Sequence, residues 1–185
     1  MKKLLSLGLA IFVSWAGVAG SFAEALPKEV IEVKDTFDRK GATSCSEAMA
    51  DTMNFLANGR TFTYNALWGT TDANNKPMSL DFLVYGSKDE LTSNGSIVLM
   101  PIKDKCVGVY VYSYIAPSHN CDIYMQKTGF DDKERYQTTT YKNGDGGTAR
   151  FLSLKNINNL NFIFNDVPGG CSLTIREMLT LEAKK

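Results

Sequence analysis

The sequence predicts an α+β fold in which one N-terminal helix packs on a curved, mostly antiparallel sheet of many strands. An apolar stripe with helical spacing lies near the start of the chain, and period-two alternation dominates afterwards. Short turn-rich segments separate the alternating runs, and tight turns connect antiparallel rather than parallel neighbours. One helix followed by many strands is typical of the α+β class.

Residues 1–23 have the three parts of a bacterial secretory signal peptide. Two lysines precede an apolar run over residues 4–19, and Ser21 and Ala23 are small residues at the two positions that a signal peptidase reads. The run of about 16 apolar residues is shorter than the roughly 20 that a membrane-spanning helix needs. We therefore expect cleavage before Glu24, no stable membrane insertion afterwards, and a periplasmic or secreted product.

Residues 24–185 are expected to form a single globular domain. The whole chain carries 20 basic and 20 acidic residues, and two of the basic residues are lost with the leader. This near-neutral balance argues against a nucleic-acid partner, because nucleic-acid binding requires a basic patch. The sequence contains no motif that requires a cofactor.

One helix is predicted over about residues 45–57, after a mixed lead-in at residues 24–38. Apolar residues recur on one stripe at helical spacing: Cys45, Met49, Met53 and Leu56. Asn58 and Gly59 are typical of the end of a helix. Such a stripe needs a sheet to cover.

Alternating apolar and polar residues then predict a series of strands. Their approximate ranges are 62–68, 78–84, 97–102, 106–115, 121–126, 136–142, 148–154, 161–166 and 171–178. Asn94 and Gly95 form a dipeptide typical of hairpin turns, so residues 93–96 are predicted as a turn. The glycine-rich residues 143–147 are predicted as another.

Four cysteines follow the leader, and an even number in an exported chain predicts two disulfides. Zinc sites usually pair ligands two to four residues apart, whereas the gaps between Cys45, Cys106, Cys121 and Cys171 are 61, 15 and 50 residues, so we expect no metal site. Three pairings remain open. Because Cys45 lies on the helical stripe, we expect one bridge to join the helix to a cysteine of the sheet.

The tyrosines are the most suggestive candidates for binding. Tyr110, Tyr112 and Tyr114 share one face of a predicted strand, and the alternate positions on the other face are valines. Tyr124 joins the same surface if the two neighbouring strands pair. We expect the valines to point to the interior and the phenol rings to form an exposed platform, since aromatic side chains with polar tips are typical of binding surfaces.

Two loop residues complete the candidate site. Trp68 precedes a polar loop over residues 69–77, and His119, the only histidine, lies in the loop over residues 116–120. A histidine-based hydrolase also needs a nucleophile and an orienting carboxylate, and no sequence spacing singles them out. We therefore expect no catalytic residues.

The leading hypothesis is an exported, non-catalytic binding module, inhibitor- or immunity-like in architecture. Its partner is expected to be a protein, bound by the tyrosine face or by the loops at Trp68 and His119. Two alternatives stay open. One is a secreted hydrolase or effector with an unrecognised active site, and the other is a structural component of an envelope assembly.

Overall fold

The structure, a computed structural model, describes residues 27–86, 92–117, 119–142 and 147–183. Its first elements are α1 (Lys28–Asp38), α2 (Ser46–Ala57), β1 (Phe62–Trp68), β2 (Met78–Val84), β3 (Ser93–Ile102) and β4 (Lys105–Pro117). The remaining elements are α3 (Cys121–Thr128), β5 (Tyr136–Lys142), β6 (Thr148–Leu154), β7 (Ile157–Val167) and β8 (Gly170–Glu182). The α+β class is confirmed, whereas the leader and most of the predicted turn at residues 143–147 lie outside the described ranges.

The eight strands form one continuous sheet in the order β1-β2-β3-β4-β8-β7-β6-β5. Every neighbouring pair is antiparallel. Short connections require this for every pair except β4 and β8, which are far apart in sequence. The two longest strands, β4 and β8, pair over their full length at the centre of the sheet. They join a first half, α1 to β4, to a second half, α3 to β8.

The two halves repeat one arrangement: a helix with a cysteine at its start, Cys45 just before α2 and Cys121 as the first residue of α3, is followed by a meander of four strands. In both final hairpins the cysteine is the second residue of the last strand, with Pro101 opposite Cys106 and Asp166 opposite Cys171. Each residue of β3 and β4 corresponds to the residue 65 positions later in β7 and β8. The pairing of β4 with β8 obeys the same shift, so a local twofold axis passes through the Val111–Arg176 pair.

Each half has its own hydrophobic core under its own helices. In the first half, α1 and α2 pack on β1–β4, and buried residues such as Met49, Leu80 and Ile97 fill the space. In the second half, α3 packs on the last strands over an aromatic core that includes Phe162 and Phe164. The helices therefore lie on one face of the sheet, which we call the helix side.

The prediction of one helix is wrong, because the described residues form three helices longer than one turn. The predicted lead-in contains α1, whose Val30, Val33 and Phe37 repeat at helical spacing and are buried. The predicted strand at residues 121–126 is α3. The side chain of Asn120 accepts a hydrogen bond from the Ile123 N–H at 2.9 Å and caps this helix, and this local bond outweighs the short alternating pattern.

The predicted turn at residues 93–96 is also wrong, because these residues are the first part of β3. A Cβ atom at Gly95 would lie 2.2 Å from the Val111 carbonyl oxygen and 2.6 Å from the Phe82 ring. The Phe82 ring stacks on Tyr112 with the ring centres 6.2 Å apart, and these residues lie opposite Gly95 on either side. Gly95 therefore serves close packing inside the sheet and not a reversal of the chain.

Two disulfides, Cys45–Cys106 and Cys121–Cys171, are present as predicted. The expectation that Cys45 joins the helix to the sheet is confirmed, since Cys45 precedes α2 and Cys106 lies in β4. The second bridge repeats this connection, from the first residue of α3 to β8. Two such bridges indicate an oxidising environment.

Candidate binding face of the sheet

The face of the sheet opposite the helix side has exposed or half-buried residues on all eight strands; we call it the open face. Successive side chains of a strand point to opposite faces, so each strand contributes alternate residues to it. In β4 the helix side carries Cys106, Tyr110 and Ala116, which are buried, and the open face carries Val107, Val109 and the residues that continue this alternation. None of the helices in the described ranges packs on the open face.

The predicted orientation of the tyrosines is therefore wrong: the phenol rings lie on the helix side and the valines on the open face. Tyr110 is only 4% exposed and belongs to the first core. Its hydroxyl donates a hydrogen bond to Glu177 Oε2 at 2.8 Å. Burial, the nearby charge of Glu177 and this bond raise the pKa of Tyr110 above its ordinary value, so the phenol stays protonated.

The other three tyrosines are half-buried where the two cores meet. The Tyr112 hydroxyl contacts Arg60 Nη2 and Ser93 Oγ, each at 2.7 Å. Tyr114 and Tyr124 form a hydroxyl–hydroxyl hydrogen bond of 2.5 Å, and burial raises the pKa of both. Tyr124 lies beside Tyr114, but it does so from α3 and not from a paired strand, and on the helix side of the sheet. These rings and their bonds connect the halves and do not form an exposed platform.

Trp68 and His119 have structural contacts as well. The Trp68 ring packs edge-on against the buried Phe37, with the ring centres 6.4 Å apart, and Lys40 Nζ lies 5.5 Å from its ring centre. The His119 ring contacts the Pro117 carbonyl oxygen at 3.0 Å and Lys127 Nζ at 2.6 Å. Neither contact of His119 is a nucleophile or a carboxylate, so they do not form a hydrolase triad.

An aliphatic patch lies on the open face across β3, β4 and β8. Val98, Val109 and Met178 lie directly opposite one another across β3, β4 and β8, and Met100 lies opposite Val107 in the adjacent row. Val98, Met100 and Met178 are 37%, 42% and 48% exposed. We call these five residues the aliphatic patch. Soluble proteins seldom leave such contiguous apolar groups uncovered unless they bind something.

Arg176 lies at the centre of the open face, beside this patch. It is exposed, pairs with Val111 on one side and Asn161 on the other, and is separated from Met178 by one residue of the strand. In the described part of the chain its guanidinium has no ion-pair partner. An exposed arginine next to apolar residues is a common composition for the centre of a protein interface.

A shallow depression of about 650 Å³ occupies the other end of the open face. We call it the amide groove, because amide and hydroxyl side chains surround its rings. It consists of three cross-strand rows: Asn161–Ser153–Gln137, Ile163–Phe151–Thr139 and Asn165–Ala149–Tyr141. The rings of Tyr141 and Phe151 meet edge-on, with centres 5.2 Å apart.

Comparison with known proteins does not assign this chain to a family. No family model, no curated protein and no solved structure matches it. Within residues 27–183, as far as they are described, no group of three or more His, Cys, Asp or Glu side chains is placed to hold a metal ion. The same ranges contain no helix long and apolar enough to cross a bilayer.

The aliphatic patch and the amide groove are the two features that sequence reasoning missed. Alternation predicts which residues share a face of each strand. The higher apolar character of valine than of tyrosine, however, favours the wrong face as the interior. The cysteines carried the missing signal. A bridge from a helix to Cys106 requires that Cys106 face the helix, and Tyr110 and Tyr112 share its parity.

Proposed function

We propose that this chain is an exported, non-catalytic protein-binding module that uses the open face of its sheet. The observation that carries the proposal is the aliphatic patch around Val98, Val109 and Met178, exposed on a face that the described helices leave uncovered. This replaces the tyrosine face as the site, because the tyrosines are engaged in the cores. The inhibitor- or immunity-like role expected from the sequence remains part of the proposal, with the open face as the binding site in place of the tyrosine face.

The size of the open face suits a protein partner. Eight strands about 4.8 Å apart, each with about seven residues at 3.4 Å per residue, cover roughly 900 Å². A standard interface takes roughly 800 Å² from each partner. Polar side chains such as Ser79, Ser96 and Thr180 border the aliphatic patch, which matches the apolar centre and polar rim of protein interfaces.

Arg176 defines the chemistry of the partner, which presents an apolar surface with a carboxylate. A desolvated arginine needs an opposite charge, because a buried unpaired charge is costly. A second copy of this chain does not supply one at the centre of the face. Because the local twofold axis passes beside Arg176, two copies laid face to face on this axis bring their Arg176 side chains together, and like charges repel.

Two features support export. The two disulfides form and persist in an oxidising compartment, and residues 1–23 have the pattern of a bacterial signal peptide. We include localisation in the periplasm or outside the cell in the proposal. Edman sequencing of the exported protein tests it, and an N-terminus at Glu24 is expected.

A photo-crosslinking experiment tests the binding function. The full chain with its leader is produced with a photoreactive amino acid at Val109 and, as a control, at Thr138, which is exposed on the helix side of β5. The protein captured at Val109 is then purified, and its affinity for the unmodified chain is measured by calorimetry. Crosslinks at Val109 that do not occur at Thr138 are expected.

Three variants decide between this face and the rest of the surface. Met178→Asp is expected to lower the affinity for the purified partner by about a hundredfold, and Arg176→Ala by about tenfold or more. Thr138→Asp is expected to leave this affinity unchanged. Equal crosslinking at both positions would reject the open face, as would full affinity of Met178→Asp. Association of the chain with itself alone, lost in Met178→Asp, would replace the partner by a second copy.

A further inference from the structure

We infer that the amide groove is a binding site for a neutral saccharide, separate from the protein-binding aliphatic patch. Its volume of about 650 Å³ lies within the roughly 300–1,000 Å³ of small-molecule sites. The small Ala149 lies between Tyr141 and Asn165 and forms the floor, and it is only 7% exposed. Larger side chains in the adjacent rows form the walls.

The lining of the groove is uncharged as far as the structure describes it. The ten described residues around it include three amides, two hydroxyl side chains and Tyr141, together with apolar groups. This described lining contains no anion, so it does not favour a polyamine or a metal ion, and it contains no cation that would favour phosphate or nucleic acid, although Arg176 lies just outside it, opposite Asn161. A ligand that fits this lining is itself neutral.

The polar groups of the lining match hydroxyl-bearing ligands. Amide side chains of Gln137, Asn161 and Asn165 each donate and accept hydrogen bonds, as sugar hydroxyls do. Within the described residues, these three amides make no side-chain hydrogen bond. These three amides are therefore available to a ligand, whereas the hydroxyls of Tyr112 and Tyr114 already have hydrogen-bond partners.

The aromatic rings are the second feature of the groove that fits a saccharide. Phe151 is 41% exposed and Tyr141 is 56% exposed, although both lie within the groove. One face of a pyranose ring carries only C–H groups, and such a face packs on an aromatic ring while the hydroxyls point outward to the rim. Aromatic walls edged by amides therefore fit a saccharide better than an aliphatic chain, which would leave the amides unpaired.

The repeat shows that the groove is not imposed by the fold. At the corresponding positions of the first half, Ser79 replaces Phe151 and Met100 replaces Asn165. The two halves thus share a backbone arrangement but differ in the chemistry of the open face. The two rings and the amides of Asn161 and Asn165 belong to this half only, whereas Gln137 has an amide counterpart, Asn65, in the first half.

Titration of the full, disulfide-bonded protein with maltotriose and with tri-N-acetylchitotriose tests the inference, followed by amide NMR shifts. We expect saturable shifts at the groove with at least one of the two trisaccharides. Phe151→Ala is expected to weaken that binding by about tenfold or more and Asn161→Ala by roughly fivefold. Val109→Ser, in the aliphatic patch, is the matched control and should bind equally well.

Two results would overturn the saccharide site. The first is the absence of saturable shifts with both trisaccharides up to about 10 mM, an affinity too weak to be specific. The second is equal saccharide binding by Phe151→Ala. If the Phe151→Ala variant no longer bound the protein that is captured at Val109, the groove would belong to the protein interface instead. Failure of the saccharide test leaves the result at Val109 and Met178 unaffected, so the two proposals are separable.

Discussion

The two halves of the sheet follow one plan, but in the described residues the first half has two α-helices over its strands and the second half has one short α-helix. In the first half, α1 and α2 lie over β1–β4, and eight residues of α2 are buried. In the second half, α3 buries Cys121 and Met125. The second half needs another way to exclude water from its core.

Aromatic side chains exclude water from the core of the second half. At the positions that correspond to Ile97 and Leu99 in β3, β7 carries Phe162 and Phe164. Phe130, just after α3, packs on both of these rings with centres 4.8 Å and 5.1 Å away. Large rings bury more apolar area per residue, so fewer helical residues suffice. The comparison teaches that a repeated backbone plan can be stabilised by different side-chain chemistry in each copy.

The largest effect is expected from removal of either disulfide. The bridges span 61 and 50 residues, so each should contribute about 4 kcal/mol through the entropy of the unfolded chain. The local consequences should differ, because α2 keeps its buried stripe without Cys45, whereas α3 keeps little without Cys121. Urea unfolding of the two double-alanine variants measures the first expectation.

Amide hydrogen exchange measures the second. Cys121→Ala with Cys171→Ala should expose the amides of α3 to exchange, while Cys45→Ala with Cys106→Ala should leave α2 largely protected. Equal loss of protection in both helices would break the comparison, since it would mean that α2 also depends on its bridge.

The next effect is expected at a pair of corresponding core residues, Phe164 and Leu99, both fully buried. Phe164→Ala should cost about 4 kcal/mol, and Leu99→Ala about 3 kcal/mol. The difference reflects the ring contacts of Phe164 with Phe130 and Tyr124. Urea unfolding gives both values, and Phe151→Ala on the open face is the control, with a loss of about 1 kcal/mol or less. A larger loss for Leu99→Ala would contradict the proposed role of the rings.

A smaller, pH-dependent effect is expected at two aspartates that hold the disulfide-bearing helices. Asp166 accepts a hydrogen bond from the Cys121 N–H at 2.7 Å and contacts Arg150 at 3.0 Å, and Asp38 accepts one from Ser46 Oγ at 2.5 Å. Burial alone would raise the pKa of Asp166, but the bond from Cys121 and the charge of Arg150 outweigh it and lower the pKa. Bonds from Lys34 and Ser46 lower the pKa of Asp38 in the same way, again against the effect of burial.

A lowered folded pKa means that each carboxylate stabilises the protein above the unfolded value of about 3.9 and loses this effect as the pH falls through the folded value. Asp166→Asn should therefore lower the free energy of unfolding by about 1 kcal/mol at pH 7 and less at pH 3. Urea midpoints at both pH values check this, with Asp38→Asn as the matched variant. A deficit that stays constant with pH would show that the charge of Asp166 has no part in it.

Much of the sheet was predictable from the sequence, because period-two alternation depends on local neighbours. The ranges of β1, β2, β5 and β6 agree with the predicted ones. The class, the two disulfides and the helix near residues 45–57 were also predictable. The repeat was not, because residues such as Leu99 and Phe164 share only their apolar character and their register across the sheet.

The orientation of the central strand could not be read from alternation alone. Alternation separates Val109 from Tyr110, but it does not say which of them faces the helices. In β4 the interior takes the tyrosines, because Tyr110 reaches Glu177 and Tyr114 reaches Tyr124, so their hydroxyls are satisfied inside. Glu177 lies 67 residues from Tyr110 in sequence, and Tyr124 lies in a segment that the sequence predicts as a strand and not as α3. The candidate binding site therefore lies on the face of the sheet opposite to the predicted one.

The smallest effect is expected on the helix side of β5, where the absence of a counterpart to α1 in the described second half leaves Thr138 exposed. Its counterpart in β1, Ala66, is half-buried against the first core. Thr138→Glu should change the free energy of unfolding by less than about 0.5 kcal/mol, whereas Ala66→Glu should cost more than about 1 kcal/mol, because a charge would enter apolar surroundings. Urea unfolding of the two variants measures the contrast. A large cost at Thr138 would mean that something covers this side of β5, and the second half would then not rely on its aromatic core to make up for the missing helix.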